Sequence, residues 1–199
     1  MAIQRLVVDQ ERSRIRFSLR HLVVAEISGF ATRFRGNIRF DPADPTESQI
    51  EVILESASLE TGDVERDQHI RSVEFLNAKE FPEIRFRSRR IVRGDGGHYT
   101  LAGDLTIRDV CRQVAFDIED RAHASSAASR GILGPFVGKG IVNRQEFGLR
   151  WNQDLDAGGV VVGDKVSIYL SIEVATPQFE EAELGEGDDP NDSDTGGPS

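Results

Sequence analysis

Apolar residues recur at every second position through most of the chain. Ile15, Phe17 and Leu19 alternate with Arg14, Arg16, Ser18 and Arg20, the pattern of a strand with one buried face. Ile38 and Phe40 follow Gly36 in the same rhythm. Ile50, Val52 and Leu54 do so too, although Ile53 puts an apolar group on the outer face. Further alternating runs cover 84–86, 101–107 around Gly103, 114–118 and 166–174, and another strand is expected within 136–142. Turn residues at 41–45, 94–97 and 156–159 punctuate these runs. One segment departs from the rule. Residues 67–80 carry Ile70, Val73 and Leu76 at helical spacing, with Pro82 just beyond, which predicts a short helix or helical turns. About eight strands with so little helix predict an all-β antiparallel sandwich or barrel. A barrel of that size is either filled by its own side chains or holds one small ligand. The inward set Phe17, Phe34, Phe40, Phe86 and Phe116 fits both.

Charge divides the chain in two. The net charge is −10 over 199 residues, and residues 176–199 hold eight Asp and Glu with no Lys or Arg. The body, 1–175, is thus near −2 and is expected to form the single barrel domain. The tail, 176–199, has too few apolar groups to offset its ordering entropy and reads as disordered. An acidic chain lacks the basic footprint of a nucleic-acid binder. No apolar run reaches the length of a membrane-spanning helix. Gln4, Arg5 and Asp9 leave the N-terminus without an apolar signal core, so a cytoplasmic location is expected.

Candidate chemistry is sparse. His98 and His123 fall in expected loops. His21 shares parity with Leu19 and should point inward at the end of its strand, either as a hydrogen-bonded core histidine or as a contact to a ligand head group. Asp67 and His69 stand two apart, a spacing that suits no helix-borne metal pair. Cys111 is the only cysteine and reads as a small buried or turn residue. There is no Gly-x-Ser-x-Gly elbow and no phosphate-binding glycine loop. The sequence offers no catalytic constellation, metal cluster or cofactor motif.

Six segments, in order, resemble the YceI-like family of lipocalin-like, polyisoprenoid-binding proteins. They are Asp9 with Ser13, Ile15, Phe17, Leu19 and His21; Thr61-Gly62 with Arg66-Asp67, His69-Ile70-Arg71-Ser72 and Phe75; and Phe81-Pro82 with Ile84, Phe86 and Ser88. Gly103 with Leu105-Thr106-Ile107-Arg108, Asn143-Arg144 with Phe147-Gly148-Leu149, and Val162-Gly163-Asp164 with Val166 complete the set. Arg12 stands where the family often has His. The resemblance implies an antiparallel lipocalin-like barrel of about eight strands with one helical insert and no catalytic residue. Its apolar cavity would take an isoprenoid or other long amphiphilic chain, such as an isoprenoid quinone, a polyprenyl phosphate or a fatty amide. Phe17, Leu19, His21, Phe34, Phe40, Ile84, Phe86, Leu105, Phe116, Trp151 and Ile168 are the expected lining. Asp67, His69 and Arg144 are expected as mouth-lining or structural polar residues, with Asp67 and Arg144 holding the insert against the barrel.

A carrier or sequestering module is the favoured function. The alternatives are an enzyme using His21 or His69 as general acid or base, and a packed stress-response barrel without ligand. Outer apolar positions such as Ile53 offer a surface for a homodimer. The charge split generates one expectation: the acidic tail lies transiently on the Arg-rich outer faces. Deleting residues 176–199 should then raise retention on a cation exchanger by more than the loss of eight acids alone predicts. Simple additivity would refute the contact.

Overall fold

The structure is a computed structural model that describes residues 2–21, 25–121, 132–150 and 162–177. Its strands are β1 (Gln4–Val8), β2 (Arg14–His21), β3 (Ala25–Ala31), β4 (Phe34–Phe40), β5 (Gln49–Glu55) and β6 (Leu59–Glu60), then β7 (Glu83–Arg93), β8 (His98–Ile107), β9 (Val110–Asp120), β10 (Ile132–Asn143) and β11 (Val162–Ala175). One helix, α1 (Val64–Arg71), joins β6 to β7. The sheet runs β1-β4-β5-β7-β8-β9-β10-β11 and closes where Val7 and Val8 pair with Ala175 and Val174. Strands β2, β3 and β6 prolong β1, β4 and β5: β11 pairs with β2, β2 with β3, and β3 with β6. The eleven segments thus make eight staves, each antiparallel to its sequence neighbours, in an up-and-down barrel.

Three strands carry signals too weak to read in the sequence. In β3 the inward positions include Gly29 and Ala31, both buried, while the large Phe30 faces out at 47% exposure. Small residues are required there. A Cβ on Gly29 would stand 2.5 Å from the Phe17 ring of the neighbouring strand. The break between β1 and β2 is patched by side chains. Asp9 N donates to Glu173 O at 2.9 Å, and the fully buried Ser13 hydroxyl donates to Glu173 O and accepts from Glu173 N at 3.0 Å. Ser58 does the same at the β5–β6 break, donating to Arg33 O and Glu55 O. Backbone groups that leave the ladder therefore keep partners.

The helix starts earlier and stops sooner than its sequence pattern suggested. Asp63 caps it by accepting from Arg66 N, and Ser72 ends it with its hydroxyl on His69 O. Residues 72–80 continue as turns, in which Leu76 is buried but Val73 is 71% exposed. Ending the helix at Arg71 breaks the spacing that would have turned Val73 inward.

On the outer face, Arg35 and Arg85 both bind Glu83, and Arg85 and Arg87 share Glu51 at 3.1 and 2.9 Å. Ile53 lies in register with Arg35 and Arg85 and is only 8% exposed. The long stems on either side cover it, so it offers no dimer surface. Cys111 is exposed in β9 rather than buried or in a turn.

Inside, rings lie flat on glycines. Gly103 and Gly140 sit beside Phe86 and Phe116, and a Cβ on either would come within 2.6 Å of the ring. The two rings then meet edge to face at 5.5 Å. These positions make Gly103→Ala costly, because its Cβ would also stand 2.4 Å from Arg87 O, a main-chain atom. A loss of about 1–3 kcal/mol is expected in denaturant unfolding. Gly138→Ala, whose nearest neighbour is the flexible tip of Ile118 at 2.5 Å, should cost less. Equal losses would contradict this account.

The outer ladder sets an acid response. Arg87 foremost holds the Glu51 carboxyl below the usual range, and Arg35 with Arg85 does so for Glu83. A lowered folded pKa stabilises the fold above the unfolded pKa, and that stability is lost as pH falls through the folded value. The melting temperature should therefore hold from neutral pH to the ordinary carboxylate range and drop below it. The double variant Glu51→Gln, Glu83→Gln should flatten that acid limb, and molar salt should shrink it. An unchanged limb would show that other groups set it.

Candidate functional site

The eight staves surround a cavity of about 600 Å³. Its wall takes inward residues from every stave, from Leu6 and Val8 to Ile172 and Val174, and is almost wholly apolar. Of the expected lining, Phe17, Leu19, Phe40, Ile84, Phe86, Leu105, Phe116 and Ile168 face the cavity. Phe34 does not. It is buried in a cluster with Ile15 and Ala31, covered by Val8, Val52, Leu54 and Leu170, which themselves line the cavity. It sits at the break between β3 and β4, where its N–H donates to Gln10 Oε1 rather than continuing the ladder. Trp151 and the side chain of His21 lie outside the described residues. Sequence reasoning missed Ile70, Phe75 and Leu76, which bring the insert into the wall, and Leu133, Phe136 and Leu149. The motif containing Ile70 and Phe75 was visible, but nothing in it said which residues turn inward.

The two ends of the cavity differ. At the end covered by α1, the polar lining residues are Thr61, Arg66, His69 and Arg144; at the opposite end they are Ser48, Tyr99 and Asp120. Ser48 and His69 thus lie at opposite ends and form no Ser–His pair. Among the described residues no cluster of His, Cys, Asp and Glu could hold a metal ion. No described helix is long and apolar enough to cross a membrane.

Asp67 organises the α1 end. Its buried carboxylate accepts from Thr61 N at 2.8 Å and from the Thr61 hydroxyl. That hydroxyl accepts in turn from Arg66 Nε at 2.8 Å. Gly62, at φ +81, supplies the turn that folds Thr61 back over the helix. His69 Nδ1 stands 3.4 Å from Glu74 Oε2, and its ring packs 6.2 Å from Phe75.

Arg144 is 2% exposed. It donates to Leu149 O at 2.6 Å, Gly163 O at 2.9 Å and Asp164 Oδ1 at 3.3 Å. These bonds tie the start of the β10–β11 connection to its end, whereas the sequence reading had them holding the helical insert. Burial lowers the Arg144 pKa, opposed by the charge of Asp164. Gly148, at φ +75, turns the chain after the short 3-10 segment so that Leu149 presents its carbonyl.

A family model described as the YceI-like domain matches residues 6–174. A UPF0312 protein of Staphylococcus epidermidis is 28% identical over 165 residues, covering 83% of this chain and 94% of its own. A UPF0312 protein of Staphylococcus aureus is 26% identical with the same coverage. Among solved structures, BcnA of Burkholderia cenocepacia superposes with a TM-score of 0.69 at 22% identity, covering 85% of this chain and 99% of that one. The YceI protein of Campylobacter jejuni gives 0.66 at 23%, over 80% and 90%. A polyisoprenoid binding domain from Saccharophagus degradans gives 0.59 at 10%, over 86% and 98%. These structures share the barrel fold. The family match runs from Leu6 in β1 to Val174 in β11, the whole barrel: the chain belongs to the YceI-like family.

Proposed function

We propose that the barrel carries or sequesters a single long apolar chain, isoprenoid or acyl. The observation that carries this reading is the hollow lumen: about 600 Å³ lined by apolar side chains from every stave. Taking a carbon of such a chain to fill about the ~30 Å³ share of one liquid water, the space holds a chain of roughly 20 carbons. At about 0.8 kcal/mol per buried CH₂ the gross gain exceeds the cost of ordering the chain, so tight binding needs no charged contact. The Saccharophagus degradans domain, a polyisoprenoid binding domain with the same barrel fold, supports the same ligand class.

An enzyme acting on a chain held in this cavity is the second reading, favoured by one observation: His69 lines the wall. The two part experimentally. Under the carrier reading, His69→Ala alters retention of the chain and there is no turnover to lose.

Mass spectrometry of the purified protein, native and after organic extraction, tests the proposal. A discrete added mass that extracts as an isoprenoid or fatty-chain compound is expected. The variant Ile168→Trp, which fills the lumen, should lower that occupancy. A bare protein that stays bare after incubation with prenyl and fatty chains would overturn the reading and favour a non-carrier role.

A further inference from the structure

The cavity is charged differently at its two ends, and this asymmetry bears on the head group. Among the described residues, every charged or titratable side chain lining the α1 end is basic: Arg66, His69 and Arg144. Among the described residues the only acid in the lining is Asp120, at the far end with Tyr99. The acids near α1 stand outside the lining. Asp63 is 50% exposed and its Oδ2 lies 3.9 Å from Arg66 Nη1; Glu74 is 63% exposed on the solvent side of His69.

Arg66 is held for recognition before any ligand arrives. Its Nε is fixed on the Thr61 hydroxyl at 2.8 Å, which the buried Asp67 carboxylate orients. Its Nη1 makes no hydrogen bond among the described residues, and its Nη2 reaches Thr61 O only at 3.4 Å. Arg144 adds a second positive charge in the same lining. It is paired with Asp164 at 3.3 Å. Arg66 stands at the mouth, 36% exposed, and a charged fork holds an anionic oxygen more strongly than a neutral one.

We infer that the preferred cargo is an amphiphile with an anionic oxygen head group, a carboxylate or a phosphate. Its head sits at Arg66 under α1, and its chain runs toward Tyr99 and Phe136. This rests on the carrier reading above and narrows it: a neutral quinone or amide head makes no use of the fork.

Displacement of a neutral fluorescent probe, N-phenyl-1-naphthylamine, tests the inference. The competitors are geranylgeraniol, geranylgeranoic acid and geranylgeranyl phosphate, which share one hydrocarbon chain. The acid or the phosphate should displace the probe at concentrations about tenfold lower than the alcohol. Preference for one of the two anions would identify the head group. The ratio of anion to alcohol should fall toward one in Arg66→Gln and survive in Arg66→Lys. Equal displacement by all three chains in the unmodified protein would overturn the head-group assignment and leave the carrier reading standing. If no chain displaced the probe, both would fall. A readout without substitution uses stearate spin-labelled near its methyl end. The label should broaden amide signals of Tyr99 and Phe136 rather than those of Thr61 and Ile70, and the reverse pattern would overturn the orientation.

Discussion

The ladder of the sheet has to close on itself, and the closure is narrow. Only Val7 and Val8 of β1 pair with Ala175 and Val174 before the first stave breaks. Beyond that point the seam passes through Asp9 N and the Ser13 hydroxyl on Glu173 before β2 takes over opposite Ser171. A continuous strand would carry these bonds in its main chain. Here a buried serine supplies donor and acceptor, so the chain can break without orphaning polar groups. With the edge abolished, all eight staves can turn an apolar face to one common interior.

Whether that interior is full depends on where the large side chains lie. Phe17, Phe86 and Phe116 would occupy much of the lumen if they stood upright. Each instead has a glycine beside it on a neighbouring strand, and the Cβ clashes at Gly29, Gly103 and Gly140 show how tightly the rings are seated. The aromatic bulk becomes wall rather than filling. The cost is glycine in three strand interiors, where backbone entropy opposes the fold. The rings recover part of it through burial and through the edge-to-face contact of Phe86 with Phe116.

Much of this frame was legible in the chain. Strands with bulky inward residues, such as β2 and β8, announce themselves by period two. Strand β3 does not, because a flat ring on one strand demands a glycine on the next, and the glycine erases the signal. The lining set was largely legible for the same reason that the strands were, since inward parity and cavity exposure coincide on a regular stave. Parity failed at Phe34, where the stave breaks and the ring is covered by the residues that do reach the lumen. Ile53 was misjudged because exposure depends on neighbours across the sheet, and two arginine stems close over it. The partners of Arg144 lie up to twenty residues away, so no local pattern could assign them.

An apolar lumen supplies affinity without much discrimination, since every methylene gains about the same on entry. Discrimination has to come from the ends, and there the fold's own supports and the polar lining are the same residues. Asp67 holds Thr61, and Thr61 holds Arg66 at the rim of the cavity. Arg144 closes the β10–β11 connection and is also part of the wall. A charge with a structural duty stays put when the lumen is empty, so under the proposed carrier role the rim would be organised before cargo arrives and would lose little freedom on binding. The same coupling restricts change at this end. An altered rim residue would shift the supports of the insert or of the connection along with the rim's charge, whereas wall positions such as Ile168 carry no such second duty.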